Sequence, residues 1–152
     1  MKNLITIIII VLSGIALRQA AEAATKVNLA PVAEASTSHV SRDTSLAALH
    51  DGHAPKVSRD RGEGAYGNWP SKGTQWVQYD WEAPVDTQKI DVFWWADGGG
   101  IGVPKAYRLL YWDGKGFVPV GNPSGLGVVK DTFNTTTFDE VRTTDYAPAV
   151  DF

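Results

Sequence analysis

Two adjacent tryptophans stand directly before an aspartate and three glycines, in the stretch from Trp94 to Gly100. Successive side chains of a strand point to opposite faces, so Trp94 and Trp95 cannot both face a core. With Trp94 inside, Trp95 either lies exposed beside Asp97 or covers the other side of the sheet. An exposed indole next to a carboxylate can stack on the apolar face of a sugar ring and accept hydrogen bonds from its hydroxyls. This combination is typical of sugar binding.

Polar side chains that could share such a site occur in two other segments. The first follows a Ser/Thr-rich stretch, and the second belongs to the long loop from Gly52 to Gly73. A loop longer than about 12–15 residues is usually functional or disordered. Alternatively, the charged side chains of the first segment are simply solvated and bind no ligand. Besides Trp95 and Asp97, the candidate ligand-binding residues are His39, Arg42, Tyr66 and Asn68.

Catalytic motifs are missing from the sequence. A glycosidase needs two carboxylates about 5–9.5 Å apart across a cleft. Asp97 and Glu63 could form such a pair, but 17 acidic residues make some pair nearly inevitable. No nucleophile-elbow, zinc-protease or phosphate-loop motif is present, and the three histidines are scattered. We therefore expect no enzyme, with a small glycosidase as the less favoured alternative.

Composition narrows the class of protein further. The chain has 152 residues, of which 20% are charged and 11% aromatic, and it has no cysteine. This length fits one domain, and the aromatic content excludes a disordered chain. Without cysteine, disulfide scaffolds, thiol catalysis and thiolate metal sites are excluded. An isoelectric point near 5.5 argues against a nucleic-acid partner, which would require concentrated positive charge.

The first 23 residues have the pattern of a secretory signal peptide. Lys2 precedes an apolar run from Leu4 to Leu17, and Ala21 and Ala23 supply the small residues of a cleavage site. The run is shorter than the ~20 apolar residues of a membrane span. We therefore expect a secreted, periplasmic or cell-surface protein with no membrane span after cleavage.

The remaining chain reads mainly as strands. Apolar and polar residues alternate with period two in several segments, which indicates strands with one buried face. Asp113-Gly114 separates two of them and predicts a hairpin. One short helix is expected, over residues 43–50. The pattern favours an antiparallel β-sandwich with strands near 27–30, 33–38, 76–81, 89–95, 106–112, 117–120 and 132–138.

The order of these features resembles the discoidin domain, also known as the C-type domain of coagulation factors, and its bacterial carbohydrate-binding relatives. The resemblance spans about residues 28–142 and implies an all-β, antiparallel jelly-roll sandwich of the galactose-binding type. Its motifs follow one another in the family's order. They are Asn28-Leu29-Ala30, Ala35-Ser36-Thr37-Ser38, Leu49-His50-Asp51-Gly52, Trp69, Trp76-Val77-Gln78-Tyr79-Asp80, Ile90-Asp91-Val92, Pro104-Lys105-Ala106-Tyr107-Arg108-Leu109 and Asp113-Gly114.

The resemblance also implies a function, and it places His39 and Arg42 where family relatives often carry ligand-binding loops. It points to a secreted, non-catalytic module that binds an oligo- or polysaccharide, like the accessory modules of bacterial glycoside hydrolases. A protein- or surface-adhesion module of the discoidin type, with a protein partner, is the alternative. Many family members hold a structural Ca²⁺, which Asp51 and Asp60 could bind here. Asp51 could instead simply begin a turn.

The C-terminal segment departs from the family pattern. Pro148 falls where the family has its last core strand, and proline cannot donate a ladder hydrogen bond. We therefore expect a domain over 24–145, a divergent tail over 146–152 and no regular last strand. The core is expected to rest on five of the six tryptophans: Trp69, Trp76, Trp81, Trp94 and Trp112.

Overall fold

Antiparallel strands make up almost all of the regular structure in the computed structural model, which describes residues 27–60, 64–147 and 149–151. The expected signal peptide lies outside the described residues. The all-β expectation is confirmed. The strands are β1 (Glu34–Thr37), β2 (Thr74–Phe93), β3 (Ala106–Arg108), β4 (Leu110–Trp112), β5 (Phe117–Pro119), β6 (Phe133–Tyr146) and β7 (Ala149–Asp151).

Helical structure is limited to two short turns within the described ranges. They are 3₁₀ turns over Ala30–Val32 and Ala47–Leu49, so the helix expected over residues 43–50 shrinks to a single turn. The first turn begins at Ala30, the last residue of the strand predicted over 27–30, and Pro31 fits it because its fixed φ suits the start of a helical turn. Over these ranges, no helix is long and apolar enough to cross a membrane.

The long strand β2 connects the two layers of the sandwich. Its first residues, Thr74–Trp76, pair with β7, whereas its later residues pair with β1 and then with β6. The sequence predicted two separate strands here. The structure has one strand, which passes from one sheet to the other between Trp76 and Val77. Its register against β6 shifts around residues 80–85 and 87–89, and such irregularities bend a strand locally.

The last strand is present, so the expectation of a missing strand was wrong. β7 pairs with Thr74–Trp76 of β2 on one side and with Ala106–Arg108 of β3 on the other. Pro148 precedes Ala149, the first residue of β7, so the ladder requires no N–H group from a proline. β6 itself runs to Tyr146, whose side chain is buried.

The core lies between the two layers. Trp81 and Trp94 pack against it, so these two expected core contacts are confirmed, and Ile90 packs against it as well. The ring of Trp94 lies edge-on to Tyr107 with a centroid distance of 5.4 Å. Trp112 is half-buried and meets Phe117 across the β4–β5 hairpin. The buried members of the cluster are Tyr107, Leu109, Val120, Phe138, Val141 and Tyr146.

Two of the expected tryptophan anchors are exposed, so that prediction was wrong for them. Trp69 is 59% exposed and Trp76 is 40% exposed. Trp76 alternates with the buried Gln75 on β2, which turns the indole to the outer face of the sheet. Trp69 lies in the loop between Gly64 and Gly73, where no strand alternation directs a side chain inward.

Two carboxylates face each other across β2 and β6, where Asp80 pairs directly with Asp145. Burial raises the pKa of Asp145 above its ordinary value, and a hydrogen bond and repulsion from Asp80 raise it further. A raised pKa means that the folded chain binds this proton more tightly than the unfolded chain does. The free energy of unfolding therefore falls as the pH rises from about 4 through the pKa of Asp145.

We expect Asp145→Asn to stabilise the protein at pH 7, because the amide removes a penalised charge. The rise in Tm should be on the order of 2 °C, since mostly exposed charge pairs are worth less than ~1 kcal/mol. Thermal melts at pH 4 and pH 7 measure it, with Glu140→Gln, an exposed charge on the same strand, as the control. A lower Tm of Asp145→Asn than of the wild type at pH 7 would contradict the repulsion between Asp80 and Asp145.

Candidate functional site

Trp95 anchors the long loop to the end of β2. Its indole N–H donates a 2.7 Å hydrogen bond to the backbone oxygen of Tyr66. Gly67 packs closely here, since a Cβ atom at this position would lie 3.6 Å from the Trp95 ring and 3.3 Å from the Thr44 side chain. Trp95 is half-buried and packs on the long loop.

The Tyr66 hydroxyl holds a second loop in place. It donates to the backbone oxygen of His39 at 3.0 Å and lies 2.5 Å from the Thr37 hydroxyl. Burial raises the pKa of Tyr66, so its hydroxyl stays protonated and able to donate at physiological pH. Tyr66 therefore positions the segment around His39.

Hydrogen bonds join the loop at residues 38–45 to the loop at residues 64–69. Ser41 is central, since its N–H donates to the Gly67 oxygen and its hydroxyl donates to the Trp69 oxygen, both at 2.7 Å. Ser41 is almost completely buried. The Ser45 N–H adds a bond to the Ala65 oxygen at 2.9 Å. The two loops therefore form one continuous surface.

An exposed indole and three polar side chains lie along this surface, which we call the Trp69 edge: His39, Arg42, Asn68 and Trp69. Arg42 is exposed, whereas His39 and Asn68 are half-buried. In the part of the chain that the structure describes, the side chains of His39, Arg42 and Asn68 make no hydrogen bond or ion pair. Their donors and acceptors are available to a ligand.

Asp97 lies in a neighbouring groove of about 450 Å³, lined by segments 57–59, 96–98 and 130–131, which we call the Asp97 groove. The N–H groups of Gly99 and Ile101 donate to Asp97 Oδ1 at 2.7 and 2.9 Å. These bonds lower the pKa of Asp97, so its carboxylate stays ionised throughout the ordinary pH range. Gly98, at φ +78°, provides the turn that this geometry requires.

Ser58 ties the three segments of the groove together. Its N–H donates to Asp131 Oδ1 at 2.5 Å, and its hydroxyl donates to the same oxygen. The Ser58 hydroxyl also accepts a 3.2 Å hydrogen bond from the Ala96 N–H. The Asp131 N–H in turn donates to the Trp94 oxygen at 2.9 Å. The walls of the groove are therefore fixed relative to the end of β2.

The sequence-predicted residues divide between the two surfaces. Trp95, Tyr66 and His39 are connected by hydrogen bonds at the Trp69 edge, with Arg42 and Asn68 beside them in the chain. Asp97 lies apart from them, in the groove.

The sequence did not predict Trp69 as an exposed ring, although its position in a loop rich in Gly and Pro was a signal. It also did not predict five residues that line the groove, and nothing in the sequence marks them: Val57, Ser58, Arg59, Lys130 and Asp131.

Asp51 and Asp60 accept hydrogen bonds from backbone N–H groups of their own loop. Asp51 Oδ1 accepts the His53 N–H at 2.8 Å, as the first residue of a turn does. Asp60 contacts the His53 ring at 3.1 Å and accepts the Lys56 N–H at 3.1 Å. Over the described ranges, no group of three or more histidine and acidic side chains could hold a metal ion. Calcium at Asp51 and Asp60 stays a prediction.

Removing the Tyr66 hydroxyl tests how the loops are held. We expect Tyr66→Phe to lower the free energy of unfolding by about 1 kcal/mol, the net value of one hydrogen bond, and Tm by about 4 °C. Tyr111→Phe is the control, because the Tyr111 hydroxyl makes no hydrogen bond within the described chain. Equal melting temperatures for the two variants would contradict the positioning role of Tyr66.

Comparison with known proteins finds likeness at the level of structure. No protein-family model matches the chain. A structure from work on the Streptococcus pneumoniae β-galactosidase BgaA has a TM-score of 0.68 at 17% identity, over 78% of this chain and 82% of that one. The family 32 carbohydrate-binding module of C. perfringens NanJ, in complex with galactose, has a TM-score of 0.60 at 12% identity, over 81% and 85%.

A chitosan-binding module is a third similar structure. It derives from a chitosanase/glucanase of Paenibacillus sp. IK-5 and has a TM-score of 0.58 at 15% identity, over 83% of this chain and 87% of that one. These matches cover most of both chains, and the expected discoidin-like resemblance is confirmed at the level of the fold. The protein has the β-sandwich fold of the carbohydrate-binding modules of bacterial glycoside hydrolases.

Proposed function

We propose that this protein is a secreted, non-catalytic module that binds glycans at the Trp69 edge. The observation that carries the proposal is the 59% exposure of Trp69, in the same pair of loops as His39, Arg42 and Asn68. The side chains of these three residues make no hydrogen bond or ion pair among the described residues. The indole offers a flat apolar face for the C–H groups of a sugar ring. Imidazole, guanidinium and amide groups supply the donors and acceptors that orient its hydroxyls.

Charge in the Asp97 groove supports binding rather than hydrolysis. A glycosidase needs one carboxyl group that stays protonated near neutral pH as the general acid. Hydrogen bonds from Gly99 and Ile101 lower the pKa of Asp97, and hydrogen bonds from Ser58 lower the pKa of Asp131. Both carboxylates of the groove are therefore poor proton donors at neutral pH.

Secretion rests on the N-terminal pattern of Lys2, an apolar run and Ala21-Glu22-Ala23. Polysaccharides lie outside the cell, and an export signal would bring a glycan-binding module to them. The similar structures include the NanJ module in complex with galactose and a chitosan-binding module, which is consistent with glycan as the partner class.

A glycan array tests the proposal, with the chain that remains after removal of the predicted signal peptide. We expect the wild type to bind, and Trp69→Ala to weaken binding at least about tenfold, as removal of a central aromatic contact does. Phe117→Ala is the matched control, because Phe117 is an exposed aromatic residue of the β4–β5 hairpin that belongs to neither surface. Its binding should equal that of the wild type.

Two outcomes would contradict the proposal. Absence of binding to every glycan would favour the adhesion module with a protein partner. Equal losses in Trp69→Ala and Phe117→Ala would mean that the indole of Trp69 is not the platform.

A further inference from the structure

The loop that carries the Trp69 edge and the Asp97 groove are anchored at neighbouring residues. Trp95 donates its indole N–H to the backbone oxygen of Tyr66, in the loop that carries Asn68 and Trp69. The next residue, Ala96, donates its backbone N–H to Ser58, in the groove. The two surfaces are therefore both attached to the same dipeptide at the end of β2.

The chemistry of the groove suits an uncharged ligand with many hydroxyls. Asp97 and Asp131 provide carboxylate acceptors, and Arg59 and Lys130 provide cationic donors. Lys130 lies 3.5 Å from Asp131, and the four charges sum to zero. A groove with both acceptors and donors but no net charge can bind neighbouring hydroxyls without favouring an ion.

Asp97 and Val57 add an acceptor and an apolar contact. Both hydrogen bonds from Gly99 and Ile101 go to Oδ1 of Asp97, so Oδ2 is the oxygen that a hydroxyl can reach. Val57 is 51% exposed at the rim and can cover C–H groups. The groove volume of about 450 Å³ lies within the ordinary range of ligand sites, about 300–1,000 Å³.

The groove is held in shape before any ligand arrives. Ser58 bonds to Asp131 and to Ala96, and thereby joins segments that are distant in sequence. Asp97 is fixed by its own turn. A site already held in its bound shape loses less conformational entropy on binding.

We propose that the Asp97 groove is a second sugar subsite, so that the module binds a neutral oligosaccharide along its chain rather than a single terminal sugar. This inference rests on the proposed function, since the Trp69 edge supplies the first subsite. The groove adds contacts for the sugar unit next to the one stacked on Trp69.

Titration calorimetry with oligosaccharides of increasing length tests the second subsite. The probes are neutral series of one to five units built on glucose, galactose, xylose and arabinose, with oligogalacturonate of the same lengths as the charged comparison. For the neutral series that binds, we expect the affinity to rise at least about tenfold from one unit to three, as an added set of contacts worth about 1.4 kcal/mol would give.

Two variants test whether the gain in affinity with chain length arises in the Asp97 groove. Asp97→Asn keeps an oxygen for the Gly99 and Ile101 N–H groups but loses the charge, and Arg59→Gln removes the cationic donor. Each should cancel most of the gain with chain length and leave the affinity for a single sugar unchanged. Arg108→Gln, an exposed arginine on β3, is the control and should behave as the wild type.

The outcomes separate the two proposals. If a single sugar binds as tightly as a chain, or if the groove variants leave the gain intact, the second subsite is wrong while glycan binding stands. Tighter binding of oligogalacturonate than of every neutral chain would also overturn it. If no probe binds the wild type, the proposed function itself fails.

Discussion

The loops of this sandwich are held in place by half-buried tryptophans, which donate their indole N–H groups to loop carbonyls. The chain has no cysteine, so no disulfide can do this. A tryptophan can bury its ring against the core and still satisfy a backbone oxygen that a loop would otherwise leave unpaired. Three of the six do so at 2.7–3.0 Å: Trp81 with Leu29, Trp94 with Gly127 and Trp95 with Tyr66.

The pair Trp94 and Trp95 links the core to both candidate surfaces. Trp94 packs on Tyr107 in the core, while its backbone oxygen accepts the N–H of Asp131 in the groove. Trp95 supports the loop that carries Tyr66 and Trp69. Because both surfaces depend on one rigid strand end, their geometry is largely formed before a ligand binds, which is what binding of a weakly interacting sugar requires.

Alternation of apolar and polar residues was enough to predict the sandwich, and with it the core contacts of Trp81 and Trp94. It could not predict β7, because three residues are too few to show a period. Trp69 was misplaced because only its order in the family pattern assigned it to the core, and a loop residue has no periodic signal that could correct this. The groove depends on contacts such as Ser58 to Asp131, 73 residues apart, which no local pattern reports. The polar residues at the Trp69 edge were predicted largely through the resemblance to the discoidin domain. The contacts among them were not predicted.

The most direct test of glycan binding at the Trp69 edge is an NMR titration with the neutral glycan that binds best. It follows the indole N–H signals of the six tryptophans. Stacking of a sugar on Trp69 should shift the Trp69 signal, whereas the signal of Trp112, in the β4–β5 hairpin, should stay in place. A titration that moves Trp112 and leaves Trp69 unchanged would contradict the account.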